Sequence, residues 1–474
     1  MSAAGAILET IAASLAANPL ATALIRAARE SGARAWIVGG APRDAWQGRL
    51  AADFDFAAQP AALDAMLARA RSLQAALIPL DPVRQITRAA LGGHGADLEP
   101  VGESIEANLR RRDFTVNALA LEVEPDRLAL YDPLGGLDDL ERRRLRLCAP
   151  GAFTDDPARV IRAYRIMLTM DLLPIDAARN ALRAAAPRVA DVAAERVTRE
   201  LWKILGHHRS HAAVERMAGD GALGALLPEV DACRGVTQNQ RHHLDVFEHT
   251  LETLKVMEAL AADPPLALRG LDAPVAADIT RLSVAKLAAL MHDTGKPSTR
   301  AQIQGRITFY RHETAGEAMA RAAARRLRLP RAVERGLRLL VLHHVRKPKV
   351  SPGAELDRRA MWRYLCDLGD WTDAGLLLGM ADVDAARGPA MTPERRERKL
   401  RAAQGILTLR KELERKPPRP PLDGDELIRE FNLAPGPLVG RLLEELAEVC
   451  AIGDLTGRDE ALAFIRDRLE KRAR

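Results

Sequence analysis

Aromatic side chains are scarce, at 4% of the 474 residues. Hydrophobic cores in this chain must therefore be built from Leu, Ala, Val and Ile rather than from stacked rings. The four cysteines, Cys148, Cys233, Cys366 and Cys450, contain no CxxC pair. This argues against a zinc ribbon or a disulfide framework, and they are read as reduced thiols. No uninterrupted apolar run approaches membrane-spanning length. The apolar N-terminal stretch AILETIAASLAANPLATALI is broken by Glu9, Asn18 and Pro19, and no basic region precedes it, so neither a signal peptide nor a membrane anchor is expected. These absences point to a cytoplasmic protein without a membrane partner, and no internal repeat is visible.

What is present is length and positive charge. A formal charge of +6 and a pI near 9.3 suit a polyanionic partner, because clustered Arg can neutralise phosphates and release their counterions. The length predicts several domains. Residues 1 to 30 read as helix, with Ile7, Ile11 and Leu15 at helical spacing. From 34 to 148 the texture changes to short extended runs, AWIVGG, DFDFAA, AALIPL, QITRAAL, ADLEPV and RLALYD, separated by turn residues. From about 150 onward the periodicity is helical, until the prolines of RKPPRPP at 415 to 421 impose an extended spacer. Beyond it, two short helices around a Pro-Gly turn are expected. The fold class is thus α+β: an α/β head over 1–148, an all-helical neck over 149–215, a helical body over 216–395 and a helical tail over 396–474.

The chemistry starts at DFDF. Alternate side chains of a strand share a face, so Asp53 and Asp55 point one way and Phe54 and Phe56 point into the core. Two neighbouring carboxylates repel unless a cation joins them. A hard ion such as Mg²⁺ suits oxygen donors and also binds phosphate, and two such ions can promote an in-line displacement of pyrophosphate. Upstream, Gly39 and Gly40 follow the apolar run AWIV and precede a predicted helix carrying Arg43 and Asp44. That geometry offers backbone N–H groups and a helix N-terminus to a triphosphate.

These residues carry a resemblance. VGGAPRD with DFDFA resembles the first motif of the class II tRNA nucleotidyltransferases and bacterial poly(A) polymerases, within the DNA polymerase beta-like nucleotidyltransferase superfamily. RRDFTVNALAL at 111 to 121 resembles their second motif, and YDPLGGLDDLERRRLR at 131 to 146 their third. The resemblance implies that Asp53 and Asp55 are catalytic and hold Mg²⁺, and that Gly39, Gly40 and Arg43 meet the triphosphate. It also implies that Arg112, Asp113 and Asn117 contact ribose and phosphates. Asp97, in ADLEPV, is a candidate third carboxylate, and an ordinary strand-edge aspartate is the alternative.

In FTDDPARVIRAYRIML, Pro157 suits a first helical turn and makes Asp156 an N-cap. Asp155 and Asp156 also lie four and three residues before Arg159, the spacing at which side chains meet on a helix. A carboxylate only accepts hydrogen bonds and a guanidinium only donates them. Cytosine and adenine each offer an amino donor beside a ring-nitrogen acceptor, so an Asp–Arg pair accepts C and A and rejects G and U. The segment resembles the family's EDxxR template, with Asp155 standing where glutamate is usual; Arg162, one turn on, joins the nucleotide-binding set. AAERVTREL at 193 to 201 resembles the last shared motif, with Glu195 and Arg196 bracing the template helix.

The helical body has its own pattern. His249, His292, Asp293, His312, His343, His344 and Asp382 are spread over several segments, and such imidazoles and carboxylates can assemble a metal site inside a bundle. In order and flanks they resemble the HD phosphohydrolase superfamily. That resemblance implies a principal divalent-metal site of His249, His292, Asp293 and Asp382 and a second ion at His312 and His344, His344 being preferred to His343 because of the VR that follows.

The combined expectation is a CCA-adding enzyme that extends the tRNA 3′ end from CTP and ATP, with phosphohydrolase activity in the body. The alternatives are a poly(A) polymerase, a partial CC- or A-adding enzyme, and a metal-dependent phosphohydrolase with an RNA-binding head. The basic GRRF-like run of bacterial poly(A) polymerases is missing from LDPVRQITRAAL, which favours tRNA.

Overall fold

The computed structural model describes residues 2–344, 357–418, 420–453, 455 and 457–473. It divides into two compact units, Met1–Glu200 with Arg216–Leu226, and Leu201–Glu215 with Leu227–Arg474.

In the first unit, α1 (Ala3–Ala16) and α2 (Pro19–Ser31) replace the single N-terminal helix expected and meet at 108°. Pro19 cannot continue a helix, and the Asn18 side chain accepts from Ala21 N–H at 2.9 Å, starting a new one. Next come β1 (Ala35–Val38), α3 (Gly40–Trp46), β2 (Asp53–Ala58), α4 (Pro60–Ser72), β3 (Ala76–Asp81), β4 (Ile86–Leu91) and β5 (His94–Pro100). The helix α5 (Ile105–Arg110), β6 (Ala120–Val123), β7 (Leu128–Tyr131) and α6 (Gly136–Glu141) complete the head.

The strands form one seven-stranded sheet in the order β3-β4-β5-β2-β1-β6-β7. Only β2 and β5 pair in parallel; the other neighbours are antiparallel. Phe54, Phe56, Ala96 and Leu98 share one buried cluster with Ile7 and Ile11 of α1, Leu20 and Leu24 of α2 and Met66 of α4. That packing takes up the apolar positions of α1 and α2. A smaller cluster of Trp36, Val38, Ala57, Ile105, Leu109 and Ala120 covers part of the other face. Asp53 lies beyond that cover and is exposed. No single helix among the described residues is long and apolar enough to cross a membrane.

The neck follows as α7 (Ala152–Asp155), α8 (Ala158–Met170), α9 (Asp176–Ala185) and α10 (Ala194–Leu205). A two-residue parallel pair joins Arg144–Leu145 to Leu173–Pro174, a link that helical periodicity does not reveal.

The second unit is mainly helical, with Val246–Ala262, Arg281–Met291, His312–Arg326, Arg331–His343 and Thr372–Ala385 carrying the body and Pro393–Arg415 following. Two small hairpins interrupt it, Pro274–Ala276 with Ile279–Thr280 and Ala301–Ile303 with Arg306–Thr308. The second turns at Gln304 and Gly305, both at positive φ, which suits a tight two-residue turn. Of the proline spacer, Arg419 lies outside the described residues. After the proline spacer come the two helices expected around the Pro-Gly turn, Gly424–Phe431 and Pro437–Ile452, and a further one, Arg458–Ala473, follows; their core includes Leu427, Leu442, Leu446 and Ile465.

Candidate nucleotide-transfer site and candidate metal centre

The strand β2 behaves as alternation dictates: Phe54 and Phe56 are buried, and Asp53 and Asp55 face the other way. Parallel pairing sets Asp55 beside Asp97 and Asp53 beside Gly95, so the candidate third carboxylate joins the first two. Burial, helped by Asp97 and Glu99 and opposed by Arg112 and Arg88, pushes the Asp55 carboxyl up to about 6. Burial likewise raises Asp97, with Arg88 opposing it.

An all-oxygen trio in which the fold penalises the charges of Asp55 and Asp97 is a fitting place for a hard divalent ion. A protein cation already answers that demand: Arg88 reaches Asp97 Oδ1 at 3.2 Å and also Asp53 Oδ2. Gly39 contributes by having no side chain. It sits at φ +80°, and a Cβ there would lie 2.0 Å from Asp55 Oδ2.

Around the trio the motif residues separate into two groups. Arg112 turns to Glu99 at 2.9 Å and Asn108 at 3.3 Å. Arg43, on α3 behind Gly39 and Gly40, donates to Asp44 and to Asn117 Oδ1, and Asn117 donates to Asp113 Oδ1 at 2.8 Å. Asp113 Oδ2 then meets Arg162 Nη1 at 3.3 Å, and Arg162 and Arg165 both meet the buried Glu200 of α10. A continuous polar chain therefore runs from the glycine turn to the neck. The third motif supports the second, since buried Asp139 accepts from Thr115 Oγ1 at 2.6 Å and from Arg146 Nε at 2.9 Å.

The template segment departs from the simple helical reading. Pro157 has helical dihedrals and Asp156 Oδ1 accepts from Ala158 N–H at 3.2 Å, so Asp156 does start α8. Asp155, however, ends α7 and is exposed; with Pro157 between two separate helices, the four-residue spacing no longer sets it beside Arg159. No ion pair joins Asp155 to Arg159 among the described residues. Asp156 Oδ2 stands 3.8 Å from Arg159 Nε and 2.7 Å from Arg196 Nη2. Arg159 donates to the carbonyls of Ala152 and Arg111. Opposed by burial, the contact with Arg196 holds the Asp156 carboxyl below its ordinary range.

In the second unit the histidines and aspartates of the sequence pattern come together. His249, His292 and Asp382 form one group with donor atoms within 4.8 Å of one another, and Asp293, His312 and His344 form another. Asp293 also lies against the first group, as the expected set of His249, His292, Asp293 and Asp382 requires, with Oδ2 at 3.8 Å from His249 Nε2. Asp293 borders both groups, with Oδ2 at 3.1 Å from His292 Nε2 and Oδ1 at 3.4 Å from His312 Nε2. His344, not His343, faces His312, at 3.3 Å between Nε2 atoms; the VR that follows lies outside the described residues.

Nδ1 of His292, His312 and His344 each pairs with a backbone carbonyl at 2.6 to 2.8 Å, which leaves Nε2 aimed at the cluster, the arrangement that orients metal-binding imidazoles. The donor set fits a pair of transition-type divalent ions. Burial pushes Asp293 up, but His292 and Lys296 outweigh it and hold its carboxyl well below the ordinary range. Sequence reasoning missed Arg88, Glu99, Glu200, Lys296 and His242, whose ring stands edge-on to His249 at 4.5 Å.

Comparison with known proteins follows these divisions. Residues 35–146 match the Poly A polymerase head domain family, residues 246–370 the HD domain family, and residues 176–234 the family described as "Probable RNA and SrmB- binding site of polymerase A". The A-adding tRNA nucleotidyltransferase of Deinococcus radiodurans is 35% identical over 91% of this chain and 94% of its own. The CC-adding tRNA nucleotidyltransferase of Geobacter sulfurreducens is 33% identical over 94% and 95%. In fold, the chain is similar to the Thermotoga maritima CCA-adding enzyme solved with tRNA, with a TM-score of 0.61 at 19% identity over 94% of each chain.

Fold and carboxylate face together define a polymerase beta-like nucleotidyltransferase joined to an HD-type helical domain. The chain belongs to the class II tRNA nucleotidyltransferase family.

Proposed function

We propose that this enzyme adds CCA to the 3′ end of tRNA, using CTP and ATP, in the cytoplasm. One observation carries the reading: Asp53, Asp55 and Asp97 share one face of the sheet, and the Gly39 turn closes directly on the Asp55 carboxylate, so the glycine turn and the acidic face form one place. Asp53 and Asp55 would hold Mg²⁺, which when bound supplies Lewis acidity to the attacking 3′ hydroxyl and the departing pyrophosphate. Gly39, Gly40 and Arg43 orient the triphosphate. Arg112, Asp113 and Asn117 line the path of the ribose, and Asp156 with Arg159 reads the base edge. Basic neck and tail surfaces hold the tRNA acceptor region by its backbone and shape. We read the four parts, 1–148, 149–215, 216–395 and 396–474, as transfer, template, hydrolase and RNA-holding segments.

Relatives named for adding A and for adding CC lie at similar identity, so product length is the deciding measurement. Trimmed tRNA is incubated with labelled CTP alone and then with CTP and ATP. A CCA-adding enzyme stops after two residues in the first case and after three in the second. A product ending at CC in both refutes full addition, and a long A tail supports the poly(A) polymerase alternative. Incorporation of ATP only into tRNA that already ends in CC identifies an A-adding enzyme, and absence of all incorporation into either tRNA, in an enzyme that still hydrolyses phosphate esters, favours the hydrolase reading.

The His/Asp cluster supports a second activity, metal-dependent hydrolysis of a phosphomonoester or cyclic phosphodiester. Its test is release of phosphate from a nucleotide 2′,3′-cyclic ester or a phosphomonoester, lost on chelation and restored by a divalent transition metal.

A further inference from the structure

Arg88 belongs to none of the motifs, yet it joins two members of the acid trio. It is register-paired with Asp97, and its guanidinium reaches Asp97 Oδ1 at 3.2 Å and Asp53 Oδ2. Space for it exists because residue 95 has no side chain. A Cβ on Gly95 would lie 2.3 Å from Arg88 Nη2 and 2.8 Å from Asp53 Oδ1. Gly95 lies within β5, so close approach rather than turn geometry is what calls for glycine. Its N–H donates to Asp53 Oδ1 at 2.8 Å. Asp53 is thereby held at both oxygens, one by a backbone N–H and the other by a guanidinium. A divalent ion bound through Asp53 competes with at least one of these.

Resting on the nucleotidyl-transfer reading of Asp53 and Asp55, we infer that Arg88 is a positioning residue that serves as the resident counter-cation of this site. It aligns Asp53 and Asp97 in the metal-free enzyme, and the divalent ion enters by exchange against it. The flexible arginine stem lets the head group withdraw, while the Gly95 N–H stays fixed and retains Asp53 in place. Metal affinity is then set in part by the strength of the Arg88 contacts.

The test is Mn²⁺ binding to the full chain without nucleotide, followed by electron paramagnetic resonance. The binding retained by an Asp53→Asn/Asp55→Asn double variant, which keeps only the HD cluster, is subtracted. Arg88→Gln preserves most of the stem but not the charge. It is expected to tighten Mn²⁺ binding in the head by about tenfold, the scale of one charge-assisted hydrogen bond. Arg88→Lys, which keeps a cation, stays close to the parent. Without metal, Arg88→Gln melts below the parent, and saturating Mn²⁺ narrows that gap. Unchanged or weaker Mn²⁺ binding in Arg88→Gln overturns the inference. If the parent enzyme incorporates CTP or ATP into trimmed tRNA while Arg88→Gln fails this test, only the exchange role falls; if the parent incorporates neither, even into tRNA ending in CC, the nucleotidyl-transfer reading falls with it.

Discussion

The carboxylate of Asp55 occupies the space that a side chain on residue 39 would need: a Cβ on Gly39 would lie 2.0 Å from Asp55 Oδ2, and its φ of +80° disfavours any L side chain. The glycine turn and the paired aspartates are therefore one steric unit, although 15 positions separate them in the chain. Gly39→Ala should lower CTP incorporation by about 100-fold, the scale of an ångström-level misplacement at a reacting centre. Binding of trimmed tRNA, followed by fluorescence anisotropy, should stay near the parent value. Wild-type turnover in the variant would show that Asp55 tolerates displacement.

Acid should weaken metal use in the head. Since burial pushes Asp55 up to about 6, its proton competes with a divalent ion as pH falls through that value. The Mg²⁺ concentration for half-maximal incorporation should rise steeply from pH 7 to pH 5.5, and excess Mg²⁺ should restore the rate. A requirement that stays flat across that range would remove Asp55 from the metal's ligands.

The proposed base-reading pair is itself clamped. Arg196 holds Asp156 at 2.7 Å, closer than Arg159 does at 3.8 Å. Arg159→Ala should erode preference for CTP over UTP by about 10- to 100-fold, the range for one well-formed bidentate contact to a base. Arg196→Ala should produce a smaller loss of the same kind. Competition assays with all four nucleotides read both, and an equal loss for every nucleotide would deny Arg159 a selecting role.

Asp293 borders both ligand groups of the helical body, whereas Asp382 borders one. Asp293→Asn should therefore reduce bound transition metal, counted by elemental analysis, more than Asp382→Asn does. Both should abolish phosphate-ester hydrolysis and leave CTP incorporation intact. Equal metal content in the two variants would contradict the bridging geometry.

Glu258 accepts from Ser210 N–H and Oγ, and Lys286 Nζ stands 2.9 Å away, all three residues being buried. Truncating one member of such a pair strands the other, so Glu258→Gln should cost about 3–5 kcal/mol. Burial pushes the Glu258 carboxyl up, but Lys286 and Ser210 outweigh it and hold it below its ordinary value. The stability it contributes is thus complete above the unfolded-state carboxyl range and is lost as pH falls through the lower folded value. Urea melts of parent and variant should converge at acidic pH; a constant gap would mean that the ionised form is not what stabilises.

Much of the transfer site was legible because its residues lie in short runs with one period. Alternation in DFDF placed the two aspartates, and ADLEPV supplied Asp97 as a candidate third carboxylate. Arg88 was not legible. As one charge in QITRAAL it acquires meaning only once β5, the hairpin partner of β4, pairs with β2, a neighbour the chain order does not disclose. Asp155 was misplaced because helical spacing was applied across Pro157, where one helix stops and the next begins.

Sequence alone determined what local rules govern: which segments alternate, which residues can ligate, donate or accept, and that one head carries acidic transfer chemistry and one body a His/Asp set. Tertiary structure decided the juxtapositions. It closed Gly39 on Asp55, brought Arg88 to Asp53, and shared Asp293 between two ligand groups. Those depend on strand order and helix packing, which arise from contacts between residues far apart in the chain and leave no periodic trace in it.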